Sequence, residues 1–121
     1  MQQIAADIDT ILEIHRALSD PGRIRALLVL RERELCVCHL VELLELSAST
    51  VSRHMSQLRR AGLVEVRRDG RWTWYRRPTF DAATPQRRAL RGLDKALADT
   101  DLAARDRRMI HTISCAIDVG N

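Results

Sequence analysis

Apolar residues in the first stretch return at three- and four-residue intervals: Ile4, Ile8, Ile11 and Leu18, with His15 in step. That period predicts an amphipathic helix over residues about 4–18. Ser19-Asp20-Pro21 follows, a capping side chain with proline in the first turn, and opens a second helix through Ile24, Leu27, Leu28 and Leu30. Arg31-Glu32-Arg33-Glu34 reads as an exposed, charged exit. A third helix is predicted from near Cys38, burying Leu40, Val41, Leu43 and Leu44. Ser47 caps a fourth over about 48–61, with Val51, Met55 and Leu58 as its buried stripe and Gly62 as its stop.

The period then changes to two. Val64 and Val66 alternate with polar residues, Asp69-Gly70 signals a two-residue hairpin turn, and Trp72 and Trp74 alternate on the return strand. Thr84-Pro85 opens a further helix with Leu90, Leu93 and Leu97. Thr100-Asp101 either breaks it or begins another, whose apolar positions include Leu102, Met109, Ile110, Ile113 and Ile117. The expected fold is therefore mainly α with a β-hairpin wing: a winged helix-turn-helix. At 121 residues the chain is expected to form one domain over 1–121. So short a chain leaves much of its surface exposed, so burial through oligomerisation helps.

Charge changes this picture more than composition does. Residues 1–46 carry five Arg against eight acids, residues 47–77 eight Arg against two, and residues 78–121 seven bases against six acids. A basic middle between near-neutral ends is the footprint of a polyanion site. No apolar run approaches the ~20 residues of a membrane span, and the mixed, acidic N-terminus lacks the basic and apolar parts of a signal peptide. A cytoplasmic location with no membrane partner is the expectation. The three cysteines, Cys36, Cys38 and Cys115, are too few and too oddly spaced for a disulfide framework. In a reducing cytosol they are candidate ligands or redox groups.

In helix-turn-helix proteins the second helix enters the major groove. With Val51, Met55 and Leu58 inward, Ser49, Arg53, Ser56 and Arg60 line the opposite face of helix 48–61, and Thr50, Ser52, His54 and Gln57 sit on its shoulders. Short hydroxyls, amides and long cations suit a helix pressed close to DNA, where Arg reaches guanine or phosphate. At the hairpin, Arg67, Arg68 and Arg71 offer three cations to a phosphate strand. Taken singly, either element could be only a solvated charged surface. Their succession in the most basic stretch of the chain favours double-stranded DNA as partner.

The stretches LSDPGRIRALLVL, ELCVCHLVELLELSASTVSRHMSQLRRAGLV and RRDGRWTWYR resemble the ArsR/SmtB family of winged-helix repressors over Leu18 to Arg77, about half the chain. The resemblance implies a homodimer built on the terminal helices, here helix 4–18 and the helices after Thr84. It also implies release from operator DNA when an inducer binds, and makes Ser49, Ser52 and Arg53 the leading base-reading candidates.

Glu34-Leu35-Cys36-Val37-Cys38 resembles the signature of the arsenic- and antimony-responsive branch of that family. Thiolates select soft ions, and trivalent arsenic takes a pyramid of three sulfurs, of which two close thiols supply most. In a regular helix positions i and i+2 point about 200° apart, whereas in extended backbone they share a side. Binding is therefore expected to hold the helix start open or distort it, and so to misplace residues 48–60 relative to the groove. The family's third cysteine position is Val41 here, which leaves Cys115 as the candidate third ligand or else a small buried hydrophobe. The expected inducer is As(III) or Sb(III), with no cofactor needed for DNA binding. The alternatives are cadmium, lead or oxidants acting on the same thiols. A zinc site is disfavoured: Asp94, His111 and Asp118 lack the paired spacing of the zinc branch, and His39 reads as a helix N-terminal polar group. Nor is a cysteine-based enzyme favoured, since no activated nucleophile and base stand out.

Overall fold

A computed structural model describes residues 2–113, with side chains from residue 7 onward. Cys115, Ile117 and Asp118 lie outside the described residues. Six helices and three strands follow the order α1 (Gln2–Ala17), α2 (Pro21–Leu30), β1 (Leu35–Cys36), α3 (Val37–Leu44), α4 (Ala48–Arg60), β2 (Glu65–Asp69), β3 (Trp72–Arg76), α5 (Pro85–Leu97) and α6 (Asp101–Thr112).

Local chemistry accounts for most of these boundaries. Asp20, Ser47, Thr84 and Thr100 stand in extended conformation before their helices, and each side chain accepts a hydrogen bond from a first-turn backbone N–H. Thr100-Asp101 thus begins a new helix rather than merely ending α5. Beyond α4, Gly62 sits at φ +78, Gly62 N–H donates to the Arg59 carbonyl and Leu63 N–H to that of Leu58. This pair of bonds is the Schellman stop, which needs a left-handed residue where glycine costs least.

The core lies where α1–α5 and the sheet meet. Leu27, Leu35, Leu40, Val51, Met55, Leu58 and Leu63 are fully buried there. On α1, Ile14 and Ala17 face that core, whereas Ile8, Ile11 and Leu12 stay exposed. Ile8 and Ile11, two positions of the stripe that predicts α1, are thus not what anchors it.

Two features of the sheet differ from the sequence expectation. It has three strands, in the order β1-β3-β2, because Leu35 and Cys36 pair with Tyr75 and Trp74. And Asp69 pairs with Trp72, so the two turn residues are Gly70 and Arg71, one position later than expected. Gly70 has φ +60 and Arg71 does not share the positive region. That is the pattern of a type II′ turn, with glycine at the first central position, rather than an Asp-Gly type I′ turn.

Two ion pairs fasten the C-terminal helices. Arg25 of α2 binds Asp106 of α6 through two bonds of 2.9 and 3.0 Å. Arg77, just after β3, grips Asp94 of α5 at 2.9 and 2.8 Å and donates to the Leu27 carbonyl at 3.1 Å. Among the described residues no helix is long and apolar enough to cross a membrane.

Candidate functional site

The turn between α3 and α4 is tight because Glu45 takes the left-handed conformation, φ 55, and Ser47 immediately caps the next helix. Ser47 Oγ accepts from the Thr50 N–H at 3.2 Å and donates to Thr50 Oγ1 at 2.8 Å. With Val51, Met55 and Leu58 buried, α4 turns Ser49, Ser52, Arg53, Ser56 and Arg60 to solvent, and Thr50 and Gln57 are half-buried beside them. Arg59, which sequence reasoning passed over, is exposed as well. It lies seven residues after Ser52, two helical turns on, and that spacing was the available signal.

His54 is placed differently. Its Nδ1 lies 2.8 Å from an Arg23 guanidinium nitrogen and its Nε2 3.6 Å from Asp20 Oδ2, both at the start of α2. The ring is engaged inside the molecule rather than presented with Ser49 and Arg53.

The wing's cations, all exposed, differ in their partners. Arg68 and Arg71 are exposed, and Arg71 lies over the Trp72 ring, 5.1 Å from its centroid. Arg67 donates to both Glu34 oxygens, at 3.1 and 2.6 Å, and lies 5.6 Å from the Trp74 ring centroid. This hydrogen bonding from Arg67 holds the Glu34 carboxyl below its ordinary value. The Glu34 tether has one consequence: it ties the strand that ends in Cys36 to the wing.

Cys36 closes β1 and is also the residue before α3, with φ −83 and ψ 160. Cys38 is the second residue of the helix. The pair straddles a strand-to-helix junction, and the two sulfurs lie 3.5 Å apart. Cys36 is extended whereas Cys38 is helical, a junction that neither a regular helix nor a continuous strand describes, and it brings the sulfurs together. His39, buried, accepts from the Cys36 N–H through Nδ1 at 3.0 Å, so its ring caps the helix it belongs to. The Cys36, Cys38 and His39 ligand atoms all lie within 4.8 Å of one another. Trp74, opposite Cys36 in the β1–β3 ladder, packs its ring against His39 with centroids 5.9 Å apart. Its indole N–H is buried and finds no hydrogen-bond partner among the described residues.

Residues 20–66, which hold the helix-turn-helix and the Cys36–Cys38 segment, match the family described as "Bacterial regulatory protein, arsR family". An HTH-type transcriptional regulator of Methanocaldococcus jannaschii is 38% identical over 64 residues, 52% of this chain and 72% of that protein. The chain belongs to the arsR family. The family and the fold are those of DNA-binding transcriptional regulators, not of enzymes. An "Arsenic resistance transcriptional regulator" of Pseudomonas putida is 50% identical over 64 residues, 52% of this chain and 50% of its own length. The chain thus spans about half the length of that arsR-family relative. In fold, the homodimeric winged helix-turn-helix DNA-binding domain of a possible ArsR-family regulator from Mycobacterium bovis superimposes with a TM-score of 0.67 at 22% identity, covering 92% of each chain.

Proposed function

We propose that this arsR-family chain is a cytoplasmic, homodimeric repressor of one domain, 1–121, that releases double-stranded operator DNA when Cys36 and Cys38, both in reduced form, take up As(III) or Sb(III). DNA binding itself needs no cofactor. On this reading Ser49, Thr50, Ser52, Arg53, Ser56, Gln57 and Arg60 face the major groove, and Arg68 and Arg71 reach flanking phosphates. His54 and Arg67 serve indirectly, by holding α4 and the wing in place. Exposed Ile8, Ile11 and Leu12 on α1, and Leu102 and Met109 on α6, supply the apolar surface a second copy would cover.

The observation that carries the inducer assignment is the sulfur pair. Two sulfurs each about 2.3 Å from one thiophilic atom, meeting there at roughly 100°, lie about 3.5 Å apart. That is the separation found. Soft thiolates select soft ions, and Cys115 or a small external thiol supplies the third sulfur that trivalent arsenic prefers. The junction also explains release. Cys36 is paired to the wing through Trp74, and Cys38 stands on the helix that leads into the turn before α4. An ion drawing on both sulfurs therefore acts on both DNA-facing elements at once.

Divalent cadmium or lead through the same thiols is the second reading, favoured by a nitrogen donor so near the sulfurs. His39 Nδ1 already serves as the cap acceptor, so recruiting it costs a helix cap. The test is operator release, followed by fluorescence anisotropy on reduced protein without added thiol, with arsenite, antimonite, cadmium, lead, zinc and peroxide compared side by side. Release by arsenite and antimonite that is abolished in Cys36→Ser and Cys38→Ser, and weakened in Cys115→Ser, supports the proposal. Normal arsenite release from the Cys36→Ser, Cys38→Ser double variant refutes the sensor assignment and leaves the repressor reading standing.

A further inference from the structure

The buried guanidinium of Arg23 touches three helices. It belongs to the first turn of α2, and only 8% of the residue is exposed. Its Nε donates to the Ala17 carbonyl at 2.7 Å and one terminal nitrogen to the Arg16 carbonyl at 3.1 Å. These are the last two residues of α1, where carbonyls lack partners within the helix and a cation is favoured. The other terminal nitrogen lies 2.8 Å from His54 Nδ1 on α4. Arginine has no acceptor, so Nδ1 must accept and the ring proton must sit on Nε2. Nε2 in turn faces the Asp20 carboxylate at 3.6 Å, and Asp20 caps α2 by accepting from the Arg23 N–H at 3.1 Å. Gly22 completes the seat. A Cβ there would stand 3.0 Å from Asp20 Oδ2 and 3.9 Å from His54 Cδ2, so the missing side chain leaves this close approach open.

We propose that Arg23 is a positioning residue for DNA reading: through His54 it locks α4 to the C-terminal end of α1, so that the helix carrying the exposed apolar stripe sets the angle of the reading helix. This rests on the repressor reading above and deepens it. In a dimer that buries the α1 stripe, the separation and tilt of two α4 helices must match two half-sites on one DNA face. Packing of Val51, Met55 and Leu58 fixes which face of α4 points inward. It leaves small rotations and slides of the helix open, because apolar contact is not directional. A planar guanidinium with three acceptors in fixed directions removes that freedom.

The test compares His54→Leu, which deletes the acceptor, with His54→Asn, whose amide oxygen can stand where Nδ1 stood, and with Arg23→Lys, which cannot serve three acceptors in one plane. Amide exchange of residues 50–60 without DNA reads the lock directly, and operator affinity reads its consequence. His54→Leu and Arg23→Lys are expected to speed α4 exchange and to weaken operator binding about tenfold, the scale of one hydrogen bond to a charged group. His54→Asn restores most of both. Leu and Asn variants that lose equally, or a Leu variant that exchanges like wild type, overturn the proposal. Ring nitrogen shifts of wild-type His54 give an independent check that needs no variant to fold: an Nδ1–H tautomer overturns it too. Failure of the repressor reading looks different, as a wild-type protein with the expected tautomer and protected α4 amides that binds no promoter DNA.

Discussion

Asp106→Ala isolates the joint between α6 and the rest of the fold. Asp106 is 2% exposed and its two oxygens accept from Arg25, which keeps 20% of its side chain in water and also donates to the Leu43 carbonyl of α3 at 3.4 Å. Removing the carboxylate strands a mostly buried guanidinium. Breaking a buried pair this way costs 3–5 kcal/mol, and the partial exposure of Arg25 places the cost near the lower end, about 3 kcal/mol. At roughly 4 °C per kcal/mol for a chain of this length, the melting midpoint falls by about 12 °C. The charge-free double variant Arg25→Met, Asp106→Val should recover most of the loss, because it leaves no unpaired ion behind. Asp106 hydrogen bonding raises the Arg25 pKa above its ordinary value. A raised cation contributes its stability in full below the ordinary arginine value and loses it only as pH rises through the raised one. The penalty is therefore flat across neutral pH. Thermal unfolding by circular dichroism, at fixed protomer concentration because dimerisation shifts the midpoint, measures it. A loss below about 1 kcal/mol, the scale of an exposed pair, or a double variant as unstable as the single one, refutes this account.

Three further outcomes are expected. Ser47→Ala removes the cap of α4 and costs about 1 kcal/mol, read as a melting shift accompanied by weaker operator binding. Gly62→Ala forces a side chain into φ +78 with Gln86 Nε2 at 3.1 Å, so it destabilises by at least ~1 kcal/mol in denaturant unfolding. The Glu34 carboxyl, held low by Arg67, keeps its tether above the ordinary carboxylate range and loses it as pH falls through the depressed value. In a Trp72→Phe background, Trp74 emission should change over that acid range, and the change should vanish in Glu34→Gln.

The sequence showed the helices because their ends carry their own chemistry. Asp20-Pro21, Ser47, Gly62, Thr84-Pro85 and Thr100 each satisfy backbone groups locally, so the signal needs no tertiary knowledge. Strand β1 escaped because a two-residue strand has no period to detect, and only its pairing with Trp74 and Tyr75 makes it a strand. The turn shifted by one residue for a similar reason. Asp-Gly and Gly-Arg are both acceptable turn centres, and the β2–β3 register decides between them. The nearness of Cys36 and Cys38 was legible in the sequence, but the geometry of their junction was not. The i, i+2 argument assumed one secondary structure for both residues, whereas Cys36 is extended and Cys38 helical. The inward partner of His54 was not legible, because its angle on the helical wheel admits either a DNA-facing or an inward role and that partner, Arg23, is 31 residues away.

Charge counting meets the same limit, and its correction can be measured. Residues 47–77 hold eight arginines, which read as a dense polyanion surface. Three of them already face carboxylates of the protein: Arg67 pairs with Glu34 and Arg76 with Glu65 at 2.9 Å on the surface, and Arg77 with Asp94 in a half-buried site. Arg53, Arg59, Arg60, Arg68 and Arg71 are the five left to meet phosphate or base. Each phosphate neutralised contributes about 0.9 to the fall of log affinity with log salt. A dimer using all five per protomer reaches a slope of at most about 9, against about 14 if all eight arginines engaged. Operator affinity measured from low to high salt separates the two. A slope near 14 means that the ion pairs with Glu34, Glu65 and Asp94 open on DNA, and that the internal pairing described above does not persist in the complex. A slope at or below 9, reduced further in Arg68→Ala and unchanged in Arg76→Ala, assigns the interface to Arg53, Arg59, Arg60, Arg68 and Arg71 and leaves the carboxylate-paired ones to hold the wing and α5 in place.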